Sequence, residues 1–336
     1  MYILTINATN TPPHFYRVFI QTSCKSGGGV FDRLNRTVLW GLLQMSIVFP
    51  VLFPIFIMIL IGYVYSKYND VNMETANKMN MDIFIPALLI DALSRQNFSI
   101  LNYQSLAIVA VLVILVSGVL AWFFAKAFKL SIPMFVPSMM FNNSGNMGLP
   151  LAVLAFGEHA LSAAVILFLA ENLLHFTLGT YIVNGRISWW NLLKMPINIA
   201  TIIGLSFSFT HWEMPALIYT PIHLLAQIVI PLMLVSLGVR MTQIDFSAWR
   251  IGLVGAIVCP LVSIIPAFIL LMFIELDPIQ RAQLLVFATL PPAVLNFMVA
   301  EKYQKSPVEV ASIVAMGNAF SIFSLSLMLL YLDGSW

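Results

Sequence analysis

The sequence predicts an all-α polytopic membrane protein: ten transmembrane helices arranged as two inverted five-helix repeats, with the fourth and ninth helices broken. Three observations lead there. The chain is 60% apolar and 9% charged, where soluble domains carry roughly 25% charged residues. Uncharged runs recur along it, long enough at about 18 residues or more to cross a bilayer. The second half also echoes the first: Ile83-Phe84-Ile85-Pro86-Ala87-Leu88-Leu89 matches Ile228-Val229-Ile230-Pro231-Leu232-Met233-Leu234, with Pro86 and Pro231 lying 145 residues apart (231 − 86 = 145). The alternation in segments of about ten residues that marks a β-barrel is absent.

Taken in order, residues 1–44 differ from the rest: they hold Pro12-Pro13, Gly27-Gly28-Gly29 and four basic residues, without an apolar run long enough to span. They read as an N-terminal extension, disordered or foreign to the native protein, with Met45 the expected start; otherwise Trp40 to Gln44 lengthen the first helix. They lack the basic start and cleavage site of a signal peptide. The spans follow at 46–66, 78–95, 102–126, 133–157, 159–184, 191–210, 216–238, 249–274, 281–303 and 307–332. Asp82 and Asp91 interrupt the second, and the sixth is short. At nearly the same offset the third span falls on the eighth and the fourth on the ninth, dividing the chain into repeats 45–190 and 191–336. Five spans is an odd number, so the second repeat must enter the membrane from the opposite face.

Loop charge sets the orientation. Lys67, Lys78, Lys126, Lys129, Arg186, Lys194, Arg240, Arg250, Lys302 and Lys305 fall on one side, against Arg95 and Arg281 on the other. The basic side is cytoplasmic, which places both termini outside. Trp122 and Trp189-Trp190 fall near span ends, as an aromatic belt does.

The fourth span carries Asn142-Asn143-Ser144-Gly145-Asn146-Met147-Gly148-Leu149-Pro150 at its middle, inside an uncharged run from Leu130 to Gly157. An unpaired polar group in hydrocarbon costs on the order of several kcal/mol, so irregular backbone survives at that depth only when buried in protein or lining a cavity. Its repeat partner is the Pro291-Pro292 pair, with Asn296 one turn further on. Half-helices beginning near Met147 and Ala293 would turn positive N-terminal ends towards a shared site for a carboxylate, with Asn143, Ser144 and Asn146 as hydrogen-bonding groups. A proline kink with Asn side chains joining helices would need less unwound backbone than Asn-Asn-Ser-Gly-Asn releases.

Four further polar residues sit inside spans: Glu171 with His175 one turn on, Asp91, and Asn318. A carboxylate at that depth is costly, and is paired, protonated or facing water. Glu171 reads as a residue that handles a proton or a cation, against the alternative of a structural partner for His175 or for an amide on a neighbouring helix. Asp91 either reaches a cavity or snorkels from a helix end.

Composition also excludes classes. Net charge +2 argues for neither nucleic acid nor an acidic partner. Cys24 and Cys259 are too few for a disulfide framework or a metal motif. Without a Gly-rich Lys-Ser/Thr phosphate loop, ATP is not the direct energy source. An intramembrane enzyme would need more clustered chemistry than Glu171 and His175 provide. No cofactor is expected, and proton or sodium coupling stays open.

The string Asn143-Ser144-Gly145-Asn146-Met147-Gly148-Leu149-Pro150 resembles the crossover motif of the auxin efflux carrier family, which includes bacterial carriers of malonate, malate and similar acids. Ile85-Pro86 with Leu88-Leu89, Gly62-Tyr63 and Pro291-Pro292 support the resemblance, which covers about Met45 to Leu332. It implies a scaffold of helices 46–66, 78–95, 191–210 and 216–238, and a transport domain over 102–184 and 249–332 whose fourth and ninth helices cross. It further implies secondary transport of a small organic anion, a mono- or dicarboxylate, held at the crossing and moved by an elevator-like shift in a prokaryotic inner membrane. A homodimer, and a sodium- or proton-coupled carrier of another organic acid in the manner of bile-acid symporters, are the alternatives left open. Asn143 takes the place of the substrate-contacting Asn, Pro150 closes the motif, and Pro291 or Pro292 marks the second crossing. The chain lacks a long loop after the fifth span, so auxin itself is not expected. Asn318 replaces the usual small hydroxyl and Asp91 a usually apolar residue.

Overall fold

The computed structural model describes residues 30–95, 98–187, 189–210, 214–242 and 247–332, with side chains of the first helix described from Val48. Those residues form α1 (Val30–Tyr68), α2 (74–93), α3 (Ile100–Ala127), α4 (Ile132–Met140), α5 (Ser144–Phe156), α6 (Glu158–Asn184) and α7 (Trp189–Leu193). They continue as α8 (Pro196–Thr210), α9 (Ala216–Met241), α10 (Trp249–Leu270), α11 (Pro278–Ala288), α12 (Val294–Lys302) and α13 (Pro307–Leu332). Among the described residues there is no β-strand, only one isolated bridge between Asn142 and Pro292. Six helical stretches are long and apolar enough to cross a membrane: Val48–Tyr68 in α1, then α3, α6, α9, α10 and α13. The protein is a multi-pass, all-helical membrane protein.

Several boundaries differ from those expected. Of the N-terminal extension, residues 1–29 lie outside the described residues, whereas from Val30 the chain is helical straight into the first span. No proline falls between Val30 and Phe49, and a helix once nucleated propagates until something stops it. The second span widens into a π-turn at Asn80–Phe84, just before Pro86. The fourth and ninth expected spans are each two helices, α4 with α5 and α11 with α12. The sixth is divided between α7 and α8.

Local chemistry explains both interruptions. Leu290 and Pro291 each precede a proline, which pushes a residue out of the α region, and the prolines have no N–H to give a helix; α11 stops at Ala288 accordingly. The first interruption is built from poor helix formers. Asn143 leaves the helical region at φ −81°, ψ 54°, and α5 begins as a π-turn over Ser144–Gly148. Asp277 caps α11 by accepting from the Ile279 N–H at 3.0 Å, with Pro278 in the first turn.

Lipid tails supply no hydrophobic drive between helices, so close packing must do the work. The most extensive contacts fall into two sets: α1 with α9 and α2 with α8 and α9, then α10 with α13 and α3, and α3 with α4 and α6. Gly62 and Gly238 let α1 and α9 touch backbone to backbone, since a Cβ on Gly62 would strike the Val235 carbonyl and one on Gly238 that of Ile59. Hydroxyls inside helices bond back one turn, Ser117 to the Val113 carbonyl at 2.6 Å and Ser138 to that of Met134 at 2.7 Å. Lys126 lies over the Trp122 ring at 4.2 Å and Lys194 over Trp190 at 4.5 Å.

Candidate functional site at the paired helix interruptions

The two interruptions lie against each other and satisfy each other's backbone. The Asn143 N–H donates to the Pro291 carbonyl at 2.7 Å, and the Ala293 N–H donates to the Phe141 carbonyl at 2.9 Å. This reciprocal pair is the bridge between Asn142 and Pro292. Side chains complete it. Asn142 Nδ2 donates to the Phe287 carbonyl at 3.0 Å, and Asn296 Nδ2 to that of Phe141 at 3.1 Å. Asn143 Nδ2 donates to Asn318 Oδ1 at 3.1 Å, while Asn318 Nδ2 reaches the Val314 carbonyl at 2.7 Å. An irregular segment buried in a low-dielectric interior must account for its polar groups in this way.

Beside the junction is a cavity of about 120 Å³, lined by 142–146, Glu171, His175 and 293–295, and across from them by Asn77, Asn80, Ser236 and Arg240. It adjoins a larger vestibule of about 1220 Å³, which shares Asn77, Arg240, Val294 and Met298 with it. The first-turn N–H groups of α12, at Val294 and Leu295, have no acceptor inside their own helix, and both residues line the cavity. The Met147 and Gly148 N–H groups are both taken by the Asn143 carbonyl, at 3.1 and 3.0 Å. Gly145 and Asn146 therefore present the first turn of α5 to the cavity. Two helix N-termini at one small space favour an anion. Two buried polar atoms on lining residues have no hydrogen-bond partner, Asn80 Oδ1 and His175 Nε2.

The expected site residues divide by what they do. Asn143, Ser144, Gly145, Asn146, Glu171 and His175 are brought together at the cavity. Asn142 also borders it, but its side chain is occupied by the Phe287 carbonyl and by Cys259, whose Sγ donates to Asn142 Oδ1 at 3.3 Å. Pro150, Pro291, Pro292 and Asn296 are not among the cavity's lining residues. Pro150 is buried in α5 just past its opening π-turn. Pro291 and Pro292 serve through their carbonyls, to Asn143 and to Asn318. Asn318 lines the vestibule and positions Asn143.

Glu171 accepts from the Asn142 N–H, so its partner is the interrupted backbone rather than His175. The His175 ring instead stacks on Phe141, with centroids 4.3 Å apart. Asp91 lies away from the cavity: it is 1% exposed and pairs with Arg95 at 3.0 Å and His223 Nδ1 at 3.1 Å. Arg95 also donates to the Glu158 carbonyl at 3.0 Å, joining α2 to the start of α6.

Sequence reasoning missed the opposite wall. Asn77 Oδ1 accepts from the Ser236 hydroxyl at 2.6 Å, linking α2 to α9. Asn77 and Asn80 are one turn apart ahead of Pro86, a polar pair inside a membrane segment that could have been noticed. Arg240 counted as a loop charge, yet it stands in the last turn of α9 and lines both spaces.

A bundle of apolar helices around a polar space at paired helix interruptions is the arrangement of a membrane transport protein. Comparison with known proteins agrees: the family model described as membrane transport protein matches residues 47–187 and 183–329. The chain belongs to that family, the auxin efflux carriers. It is also 26% identical over 306 residues to an uncharacterized transporter of Methanocaldococcus jannaschii, covering 85% of this chain and 98% of the relative. Family and relative alike point to a transporter rather than an enzyme.

Proposed function

We propose that this protein is a secondary active transporter of a small organic anion, a mono- or dicarboxylate, which it binds beside the paired interruptions. The observation that carries the reading is the small polar cavity faced by the first turns of α5 and α12. A space of about 120 Å³ suits a molecule of a few carbons. Donors that need no reorganisation suit a carboxylate, which accepts hydrogen bonds and donates none when ionised.

In this reading the chain spans an inner membrane ten times as two inverted five-helix repeats, with both termini outside and the fourth and ninth helices broken and crossing. The two packing sets support an elevator-like movement: α1, α2, α8 and α9 act as scaffold, and the set holding the crossing slides against them with its substrate. The donors at the crossing travel as a unit, because the reciprocal bonds join 141–143 to 291–293. Glu171, touching both the Asn142 backbone and the cavity, is the residue through which a proton or cation would be coupled.

The test is Asn143→Ala in purified protein reconstituted into vesicles. Uptake of carboxylates is expected to be lost while the thermal unfolding midpoint moves by only a few degrees. Unchanged KM and maximal rate would refute the assignment. Turnover of a substrate by detergent-solubilised protein, with no vesicle present, would favour an enzyme instead.

A further inference from the structure

Among the described residues lining the small cavity, Arg240 is the one with a permanent positive charge. It is half-buried in the last turn of α9, and it lines both the cavity and the vestibule. The surrounding wall is built for polar contact. Ser236, one turn earlier, is tied to Asn77, and the buried Asn80 Oδ1 on the same wall has no partner. The opposite wall is the crossing itself, at Gly145, Asn146 and Val294. A guest in this cavity therefore touches both packing sets at once.

The charges facing Arg240 sharpen its role. Glu301 on α12 shares the vestibule wall with it and is not in ion-pair contact. The vestibule is also lined by Asp70, Glu74 and Asp82, against Lys78. With Glu301 and Arg240 included, acids outnumber bases four to two, so the vestibule does not gather anions by its net field. Exposed charges are screened over about 8–10 Å at moderate salt, whereas a half-buried guanidinium in contact with its ligand is screened much less. Its planar fork also matches a carboxylate better than an ammonium does. Discrimination of charge thus falls to one short-range contact at the mouth of the cavity.

We propose that Arg240 is the residue that reads the substrate's negative charge, and that it does so from the vestibule side only, with Glu301 on the vestibule wall as the competing negative charge. Arg240 belongs to the α9 set and the backbone donors to the crossing set. When the crossing shifts towards the other face, the substrate keeps the helix N-termini and leaves Arg240 behind. The carrier then binds its anion more tightly from the vestibule face than from the opposite one. This inference rests on the anion-transport reading above.

The experiment uses the full chain in vesicles of defined orientation, with acetate, malonate, succinate and benzoate as probes. KM for each is measured for entry from each face. If the wild type carries none of the four, the anion reading falls and this inference with it. If the wild type carries at least one, Arg240→Gln is expected to raise its KM ten-fold or more from the vestibule face and less than two-fold from the other. Arg240→Lys should recover part of the loss. Glu301→Gln should lower KM from the vestibule face, and it serves as the deciding variant should Arg240→Gln not fold. An unchanged KM in Arg240→Gln, an equal rise on both faces, or no effect of Glu301→Gln would overturn the role given to Arg240 while leaving the anion reading intact.

Discussion

The two interruptions solve one geometrical problem with opposite chemistry. The first, 141–143 running into the π-turn of α5, is rich in Asn and supplies side-chain donors as well as N–H groups. The second, 289–293, stops its helix by proline and supplies carbonyls, at Pro291 and Pro292, and the start of α12. The backbone exchange between them is close to two-fold, one N–H and one carbonyl in each direction. Their side chains are not. A pair of breaks can therefore be near-symmetric in its backbone exchange while differing in the side chains it carries.

If that asymmetry is right, Asn143→Asp is the most damaging exchange. It places a carboxylate among the donors proposed to hold an anion, and like charges at close range in a low-dielectric site repel strongly. Transport of every carboxylate should fall at least about a hundred-fold, the cost of roughly 3 kcal/mol of lost binding, measured as initial uptake into vesicles. Next comes Asn318→Ala, which strands Asn143 Nδ2 without its acceptor. Leaving a buried donor unsatisfied costs about 1–3 kcal/mol, so the thermal midpoint should drop and KM rise together. A fall in midpoint with KM unchanged would mean that Asn318 braces the fold and does not position Asn143.

Asp91→Asn breaks the comparison from outside the site. It removes the negative charge and one of the two acceptor oxygens that Arg95 and His223 use, in a cluster whose partners are a quarter to a third exposed, 25% and 31%. Solvent screening holds the loss to about 1 kcal/mol, read as a lower midpoint with KM unaltered; a changed KM would bring Asp91 back to the transport site. Pro291→Ala should do least. The carbonyl that Asn143 uses remains, and the loss is mainly the proline's restriction of the unfolded chain, about 0.4–1 kcal/mol. Transport falling as far as in Asn143→Asp would show the two interruptions to be chemically equivalent after all.

Much of this was legible along the chain because it is local. Asn-Asn-Ser-Gly-Asn weakens a helix and Pro-Pro stops one by local chemistry, so both interruptions could be located to within a few residues. The pairing of Asp91 could not. Its partners are Arg95, one turn away, and His223, more than a hundred residues later, and only the packing of α2 on α9 selects His223. The same holds for Asn142. It looks as available as Asn143 in sequence, but both ends of its amide are taken, by the Phe287 carbonyl and Cys259 from helices that no local pattern connects to it, whereas Asn143 commits its Nδ2, to Asn318.

The sequence by itself determined the class: recurring apolar runs long enough for a bilayer, with polar and proline-rich stretches among them. These follow from the solvent and from backbone chemistry, which act on each segment separately. Tertiary structure alone decided which polar groups are spent on the fold and which remain for a guest. A donor's availability depends on what stands opposite it, and for Asn143, Arg240 and Asn80 the opposite wall comes from another part of the chain.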